Sequence, residues 1–493
     1  MMHHKIRILS LLAAALIVLS GCAGSAAADK TDAAAPAAQA GTVIEASGEV
    51  TEVDLSAQSG TVLFDRGGVY LLRGTLSDGQ LVIEAPKDEK VELILSGVSV
   101  TNSAGAAVNC RQAKDLILTL AEGTENTLAD AAQYRFDDPD KGEPDAAVFS
   151  KADILIRGGG ALTVTGSFKH GIASNDDLKI KGGTIRVSSV SDALHGKDSV
   201  VIEDGVFTLR AGKDGISATN KKDAEKGYIE IAGGSFDMEV GADGVKAQTD
   251  VTITGGDFWI EARDDGVHAD RNLQIDGGTF NIPTCYEGME GTTITINGGT
   301  IFIKSTDDAI GAAAGTEEAR AFYGRDGNPA VSVTINGGEI EAFSGGDTVD
   351  SNGNIFVNGG KLRLSSPATP YYEGVLLCNG RVTVTGGDLA MVGNIGVELT
   401  VENQPMLLVS FSSAQPAGST PSLRDQSGNT LLEIRSRRDY TQAIFSSPEL
   451  KFGESYAVYV DEQKIVEMTL DGMINKVSND GGAFTGGYPR GHW

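Results

Sequence analysis

An all-β solenoid, with coils of about 22 residues, is predicted for this 493-residue chain by three observations. A carboxylate, a small residue and an aliphatic recur together, as in Asp214-Gly215-Ile216, Asp243-Gly244-Val245 and Asp265-Gly266-Val267. A glycine pair and a strand-like run then follow. Finally, 64 glycines against 13 prolines and only 6% aromatics suit many tight turns and thin apolar layers. The repeated position is held by His170, Asp192, Asp214, Asp243, Asp265, Glu287, Asp308, Asp347 and Glu373, in steps of 22, 22, 29, 22, 22, 21, 39 and 26 residues. A repeat this short cannot bury its own apolar face, so it must stack on its neighbours.

In chain order, residues 1–21 read as an export signal: Lys5 and Arg7 lead an apolar run, Leu9 to Leu19, too short to span a bilayer comfortably. Leu19-Ser20-Gly21-Cys22 is similar to a bacterial lipobox, which makes Cys22 the expected lipidation site. The Ala-rich stretch within residues 22–45 is then a flexible tether, and the domain is expected outside the cytoplasm, lipid-anchored at the bacterial cell surface. Cys110, Cys285 and Cys378 are odd in number and far apart, so buried thiols are expected rather than a disulfide framework.

Residues 46–397 carry the solenoid. Within one coil Val245 and Ala247 alternate with Lys246, Val251 and Ile253 with Thr252, and Phe258 and Ile260 with Trp259. Each run is a period-two strand with one buried face, giving three short strands per coil. Interior columns recur in step: Ile172, Leu194, Ile216, Val245, Val267, Met289, Ile310, Val349 and Val375 after the acid, and Phe207, Phe236, Phe258 and Phe280 among those after the glycines. Slipping by one residue would expose every member, so a parallel β-helix is the fold that fits. The glycine pairs are corners that accept positive φ, not phosphate loops. Val91 to Leu95 and Leu116 to Thr119 read as looser upstream coils.

Three longer steps mark insertions, near Asn220 to Tyr228, within Ala312 to Pro329 (with Phe322 and Tyr323), and around Ser365 to Tyr372. Inserted loops in solenoids often lie beside the binding face. Residues 398–479 lose the glycine pairs and read as a small antiparallel β unit that caps the last coil's open edge. The Gly-rich segment 480–493 is expected to be disordered.

The formal charge of −27 becomes −29 without Lys5 and Arg7, since 67 acids then face 38 bases. That disfavours nucleic acid and favours cations. The repeated acids form a ladder one strand spacing apart, about 4.8 Å. Neighbouring bare carboxylates there repel by about 1 kcal/mol in water and about 3.5 kcal/mol at an effective dielectric near 20. Protonation is unattractive for acids expected to be exposed, and the bases nearby are few: Lys213, Lys246, Arg263, His195 and His268. Doubled acids such as Asp264-Asp265 and Asp307-Asp308 are hard oxygen donors, which favours Ca²⁺. The candidate ligands are Asp214, Asp243, Asp264, Asp265, Glu287, Asp307, Asp308 and Asp347. Zinc is disfavoured because no Cys and His cluster accompanies the acids. The alternative is a turn ladder without metal, which is how Asp115, Asp153, Asp177, Asp250 and Asn354 read, and which weighs more on outlying Asp192.

Two outward columns flank the ladder. Ala173, His195, Ser217, Lys246, His268, Glu290, Gly311, Asp350 and Leu376 stand beside the acids, and an anionic sugar carboxylate could bridge Ca²⁺ and Lys246. Arg186, Thr208, Asp237, Trp259, Asn281, Phe302, Glu341 and Arg363 carry two aromatics that could stack on sugars or be covered by the longest insertion. His195, Lys246, His268 and Trp259 are therefore the candidate carbohydrate contacts.

The blocks Gly123-Thr124-Glu125-Asn126-Thr127-Leu128, Phe149-Ser150-Lys151-Ala152-Asp153, His170-Gly171-Ile172, Gly196-Lys197-Asp198, Lys213-Asp214-Gly215-Ile216 and Phe445-Ser446-Ser447-Pro448-Glu449 follow in a specific order. In that order the chain resembles the bacterial carbohydrate-binding β-helix lipoproteins, over nearly all of its length beyond Cys22. The resemblance implies a right-handed, pectate-lyase-like parallel β-helix. It also implies binding of calcium and of acidic polysaccharide such as polygalacturonate, with cellulose as a further ligand, and no demonstrated catalysis. Where that family has Asp, this chain has His170, Glu287 and Glu373. Its partner is expected to be acidic polysaccharide, its membrane contact the lipid anchor alone, and its state a monomer. Two other readings stay open. One is a calcium-dependent polysaccharide lyase with Lys246 or Arg263 as base, although an ammonium among acids has a raised pKa and makes a poor base. The other is a structural surface spike or adhesin.

Overall fold

The computed structural model describes residues 42–43, 49–136, 140, 142–313, 327–367, 373–395, 399–481 and 484. The expectations placed on Cys22, the leader, Phe322, Tyr323 and nearly all of the tail fall outside those residues. The described residues are strands and turns, with one 3-10 turn at Leu55–Ala57.

Three parallel ladders of strands run along the molecule. Ile216–Ala218, Val245–Ala247 and Val267–Ile275 stack in the first, Tyr228–Ile231 and Val251–Ile253 in the second, and Ser235–Val240, Asp257–Ala262 and Thr279–Cys285 in the third. Register aligns like residues, Val245 with Val267, Ile229 with Val251 and Phe236 with Phe258, and slips where Asp257–Ala262 meets Thr279–Cys285. The chain is thus all-β with a large, mostly parallel sheet wound as a β-helix. Its core is one continuous column of Ile, Val, Leu and Phe. Phe207, Phe236, Phe258 and Phe280 stack with ring centroids 4.6 Å apart and planes within 4°. The second glycine of each pair takes the corner, as Gly256 does at φ 110°.

One outward position differs from the sequence reading. Asp350 pairs with Leu377, not Leu376, and Leu376 is fully buried. The insertion before this coil shifts its register by one residue, so both Val375 and Leu376 face inward.

After the last coil the ladder changes direction. Asp388–Val392 pairs antiparallel with Tyr440–Ser446, which pairs antiparallel with Met406–Gln415. A separate four-stranded antiparallel sheet contains Pro421–Arg424, Thr430–Glu433, Ser455–Val460 and Gln463–Thr469. A second apolar cluster, including Phe411, Tyr440 and Tyr456, packs beneath it. Tyr440–Ser446 escaped the sequence reading because its burial is nearly continuous, which hides the period-two signal. Cys110, Cys285 and Cys378 are buried free thiols, as expected from their spacing.

Candidate metal and carbohydrate site

Each ladder acid stands at the corner between the third strand of one coil and the first strand of the next. The small residue after it is required by close approach: a Cβ at Gly244 would lie 2.5 Å from the Gly266 carbonyl and 2.6 Å from Ile260. This contact lets the acids stack directly. Asp214, Asp243 and Asp308 accept the backbone N–H of the next acid, Asp243, Asp265 and Asp347, at 3.1, 2.9 and 2.7 Å. The ladder is therefore a backbone turn ladder as well as a row of candidate ligands.

The acids are not exposed, which corrects the sequence reading. Asp243 is 0% exposed, Asp265 4% and Asp347 8%. Alternating strand geometry turns each acid back into the corner, where adjacent coils cover it. The partners of the acids then change along the axis. His170 and His195 flank Asp192, each with Nδ1 3.3 Å from Asp192 Oδ2. Burial opposes ionisation of Asp192, but the two imidazoles hold it well below the usual carboxylate range. Lys246 reaches back three residues to Asp243. Burial disfavours its ammonium, yet the bond to Asp243 and the charges of Asp214 and Asp265 leave its pKa raised.

His268 lies among three carboxylates. Its Nδ1 is 2.8 Å from Asp265 Oδ2 and 2.7 Å from Glu290 Oε2, and its Nε2 is 3.0 Å from Asp270 Oδ1. Burial works against the imidazolium, but these bonds push its pKa up to about 12. In the tightly coupled pair, burial raises Asp265, whereas Glu290, equally opposed by burial, is lowered by His268.

Beyond Glu290, no basic side chain among the described residues pairs with Asp308, Asp347 or Asp350. Burial first, and then neighbouring acids, raise Glu287 to about 8, Asp308 to about 6, Asp347 to about 8 and Asp350 to about 7. Asp214 is raised to about 6 by burial and by Asp192 and Asp243. Donor oxygens of Asp265, Glu287 and Glu290 lie within 4.8 Å of one another, as do ligand atoms of Asp243, Asp265 and His268. The first of these sets, all oxygen and under-neutralised, fits a hard divalent cation.

Of the candidate ligands, Asp243, Asp265 and Glu287 enter these groups. Asp214, Asp308 and Asp347 continue the same ladder, while Asp264 is exposed and enters none. Asp307 accepts the Tyr286 hydroxyl, beside the ladder rather than on it. Of the candidate sugar contacts, His195, Lys246 and His268 all face the acids, Lys246 and His268 as counter-ions. Trp259 is 44% exposed on another sheet, its Nε1 donating to Glu261 at 3.1 Å. Arg263 is exposed.

Sequence reasoning missed Asp270 and underweighted His170, Asp192, Ser217, Glu290 and Asp350. The available signal is a three-residue spacing that pairs the acid column with the outward column: Asp192 with His195, Asp243 with Lys246, Asp265 with His268, and Glu287 with Glu290. The structure also brings His170 and His195 together, with rings stacked at 4.7 Å, a pairing that the sequence reading did not place.

Together, a β-helical solenoid and a buried acidic edge define a repeat scaffold with one acidic face. Residues 58–317, more than half of the chain, match the model of a family described as carbohydrate-binding domain-containing protein, and the chain belongs to that family. A carbohydrate-binding domain-containing protein of Acetivibrio thermocellus is 38% identical over 135 residues, 27% of this chain and 47% of that protein. The chain thus spans about half the length of that curated relative. A solved structure titled as a polysaccharide lyase-like protein from C. thermocellum, in a gadolinium derivative, is similar at 32% identity and a TM-score of 0.40, over 48% of this chain and 87% of that chain.

Proposed function

We propose that this protein is a calcium-dependent binder of acidic polysaccharide, with polygalacturonate or a pectin-like polymer as first ligand and cellulose as a neutral one. The observation that carries the reading is the stretch of the ladder formed by Glu287, Asp308, Asp347 and Asp350, where burial and neighbouring acids raise the pKa values. Calcium held by Asp265, Glu287 and Glu290, and by the acids beyond them, would neutralise that charge and leave coordination positions for sugar carboxylates. Membership of a carbohydrate-binding family supports the polymer as partner. In this reading the coils wind right-handed, and the domain is a monomer held outside the cytoplasm by a lipid on Cys22 and a tether to residue 45.

The lyase reading gains little from the geometry, because Lys246 is committed to Asp243 and its raised pKa makes it a poor base. The test is a pull-down on polygalacturonate with calcium and with chelator, beside an absorbance assay for 4,5-unsaturated ends. Calcium-dependent retention without product is expected. Product formation would replace the binder with a lyase, and no retention on acidic or neutral glycans would leave a surface spike.

A further inference from the structure

We propose that His170, Asp192 and His195 form a separate metal site for a borderline divalent ion of the zinc class, chemically distinct from the oxygen-only ladder. Two successive coils bring two imidazoles against one acid, an arrangement that no other rung among the described residues repeats. His170 stands in the acid column, and His195 in the outward column three residues after Asp192. One nitrogen from each imidazole and one carboxylate oxygen lie mutually within 4.8 Å.

His195 Nδ1 pairs with Ser217 Oγ at 2.9 Å, so an ion would have to displace that bond; three observations nonetheless point to an ion. First, His170 is 5% exposed, yet its Nδ1 has no hydrogen-bond partner. At 3.3 Å from Asp192 Oδ2, that nitrogen is close to the carboxylate but out of alignment for a bond. Second, the spacing suits four-coordinate binding, since bonds of about 2.0–2.1 Å in a tetrahedral site set donor atoms about 3.3 Å apart. His170 Nδ1 and His195 Nδ1 are each 3.3 Å from Asp192 Oδ2. Third, outer partners are in place. Asp145 Oδ2, which accepts Lys169 Nζ at 2.6 Å, lies 3.7 Å from His170 Nε2, on the side from which a carboxylate that closed to bonding distance would orient a metal-bound imidazole. Ser191 donates to Asp192 Oδ1 at 3.2 Å and leaves Oδ2 turned to the imidazoles, where Ser217 Oγ also donates at 2.8 Å.

Nitrogen donors separate this site from the ladder in selectivity. Calcium takes oxygen ligands, whereas two imidazoles and a carboxylate are a common zinc set with a position left for water or another ligand. The His195 side chain is 15% exposed and gives the ion a way in.

Titrating the chelator-stripped full chain with zinc in millimolar calcium tests the site. One tightly bound zinc is expected, unaffected by calcium, and cobalt(II) in its place should give the strong visible absorption of a four-coordinate ion. His170→Gln and His195→Gln should each weaken zinc by about a hundredfold, while His268→Gln and Glu287→Gln leave it unchanged. Absent zinc binding, displacement by calcium, or equal affinity in His170→Gln and His195→Gln would overturn the site. If a variant fails to fold, the cobalt spectrum and calcium competition of the unaltered chain still decide.

Discussion

The backbone N–H of Asp265 donates to the carboxylate of Asp243 across one coil at 2.9 Å, so one side chain is both a rung of the fold and a candidate ligand. Its other oxygen faces Lys246. Fold and function are therefore separable only by substitutions that keep the acceptor and remove the charge. Asp243→Asn should lose calcium affinity while costing less than about 1 kcal/mol. Asp243→Ala, which leaves a buried N–H unpaired, should cost about 1–3 kcal/mol. Denaturation beside calorimetric calcium titration measures both, and equal destabilisation by the two variants would mean that the bond contributes nothing.

Stability should depend on pH in the sense set by raised carboxylates. Glu287 and Asp347 sit near 8 in the folded protein, well above their unfolded values. Their contribution is present in full below the unfolded carboxylate range and is lost as pH rises through about 8. In chelator the melting temperature should fall between pH 5 and pH 8.5. Calcium, which needs ionised ligands, should raise it more at pH 8.5 than at pH 5. Glu287→Gln should flatten the chelator profile, and a melting temperature that rises with pH in chelator would refute the assignment.

The coils were legible because periodicity is a property of sequence: Phe207, Phe236, Phe258 and Phe280 announce a stack, and the structure sets them face to face. The acid column was legible for the same reason, although its burial was not, since a period locates a residue without saying what covers it. Sugar contacts were the least legible. His268 and Lys246 read as free bases in a column, whereas the structure turns each back three residues onto Asp265 and Asp243. The missed strand Tyr440–Ser446 is covered on both faces and carries no alternation to detect.

Trp259 stands on a sheet that does not contain the ladder's first strands, in register with Asp237 and Asn281. Being exposed, it contributes little to folding, so Trp259→Ala should change stability by less than about 0.5 kcal/mol. If sugar rings pack on this face, polymer affinity should fall by about 1 kcal/mol, roughly fivefold, with the calcium midpoint unmoved. Unchanged polymer affinity would confine recognition to the acidic edge.

Lys246 separates an internal counter-ion from a sugar contact most directly. Its ammonium pairs with a fully buried carboxylate, so Lys246→Ala leaves Asp243 charged and uncompensated. Breaking a fully buried pair costs about 3–5 kcal/mol. Because the lysine side chain is 39% exposed, water moderates the loss, and about 1–3 kcal/mol in chelator is expected. Adding Asp243→Asn should restore most of it by removing the stranded charge. Calcium should also rescue the single variant, since a divalent ion can take the place of the ammonium between Asp243 and Asp265. Polygalacturonate retention in saturating calcium should then match that of the unaltered protein. Retention lost from a variant that melts normally in calcium would instead make Lys246 a direct contact for the uronate carboxylate, and the counter-ion role secondary.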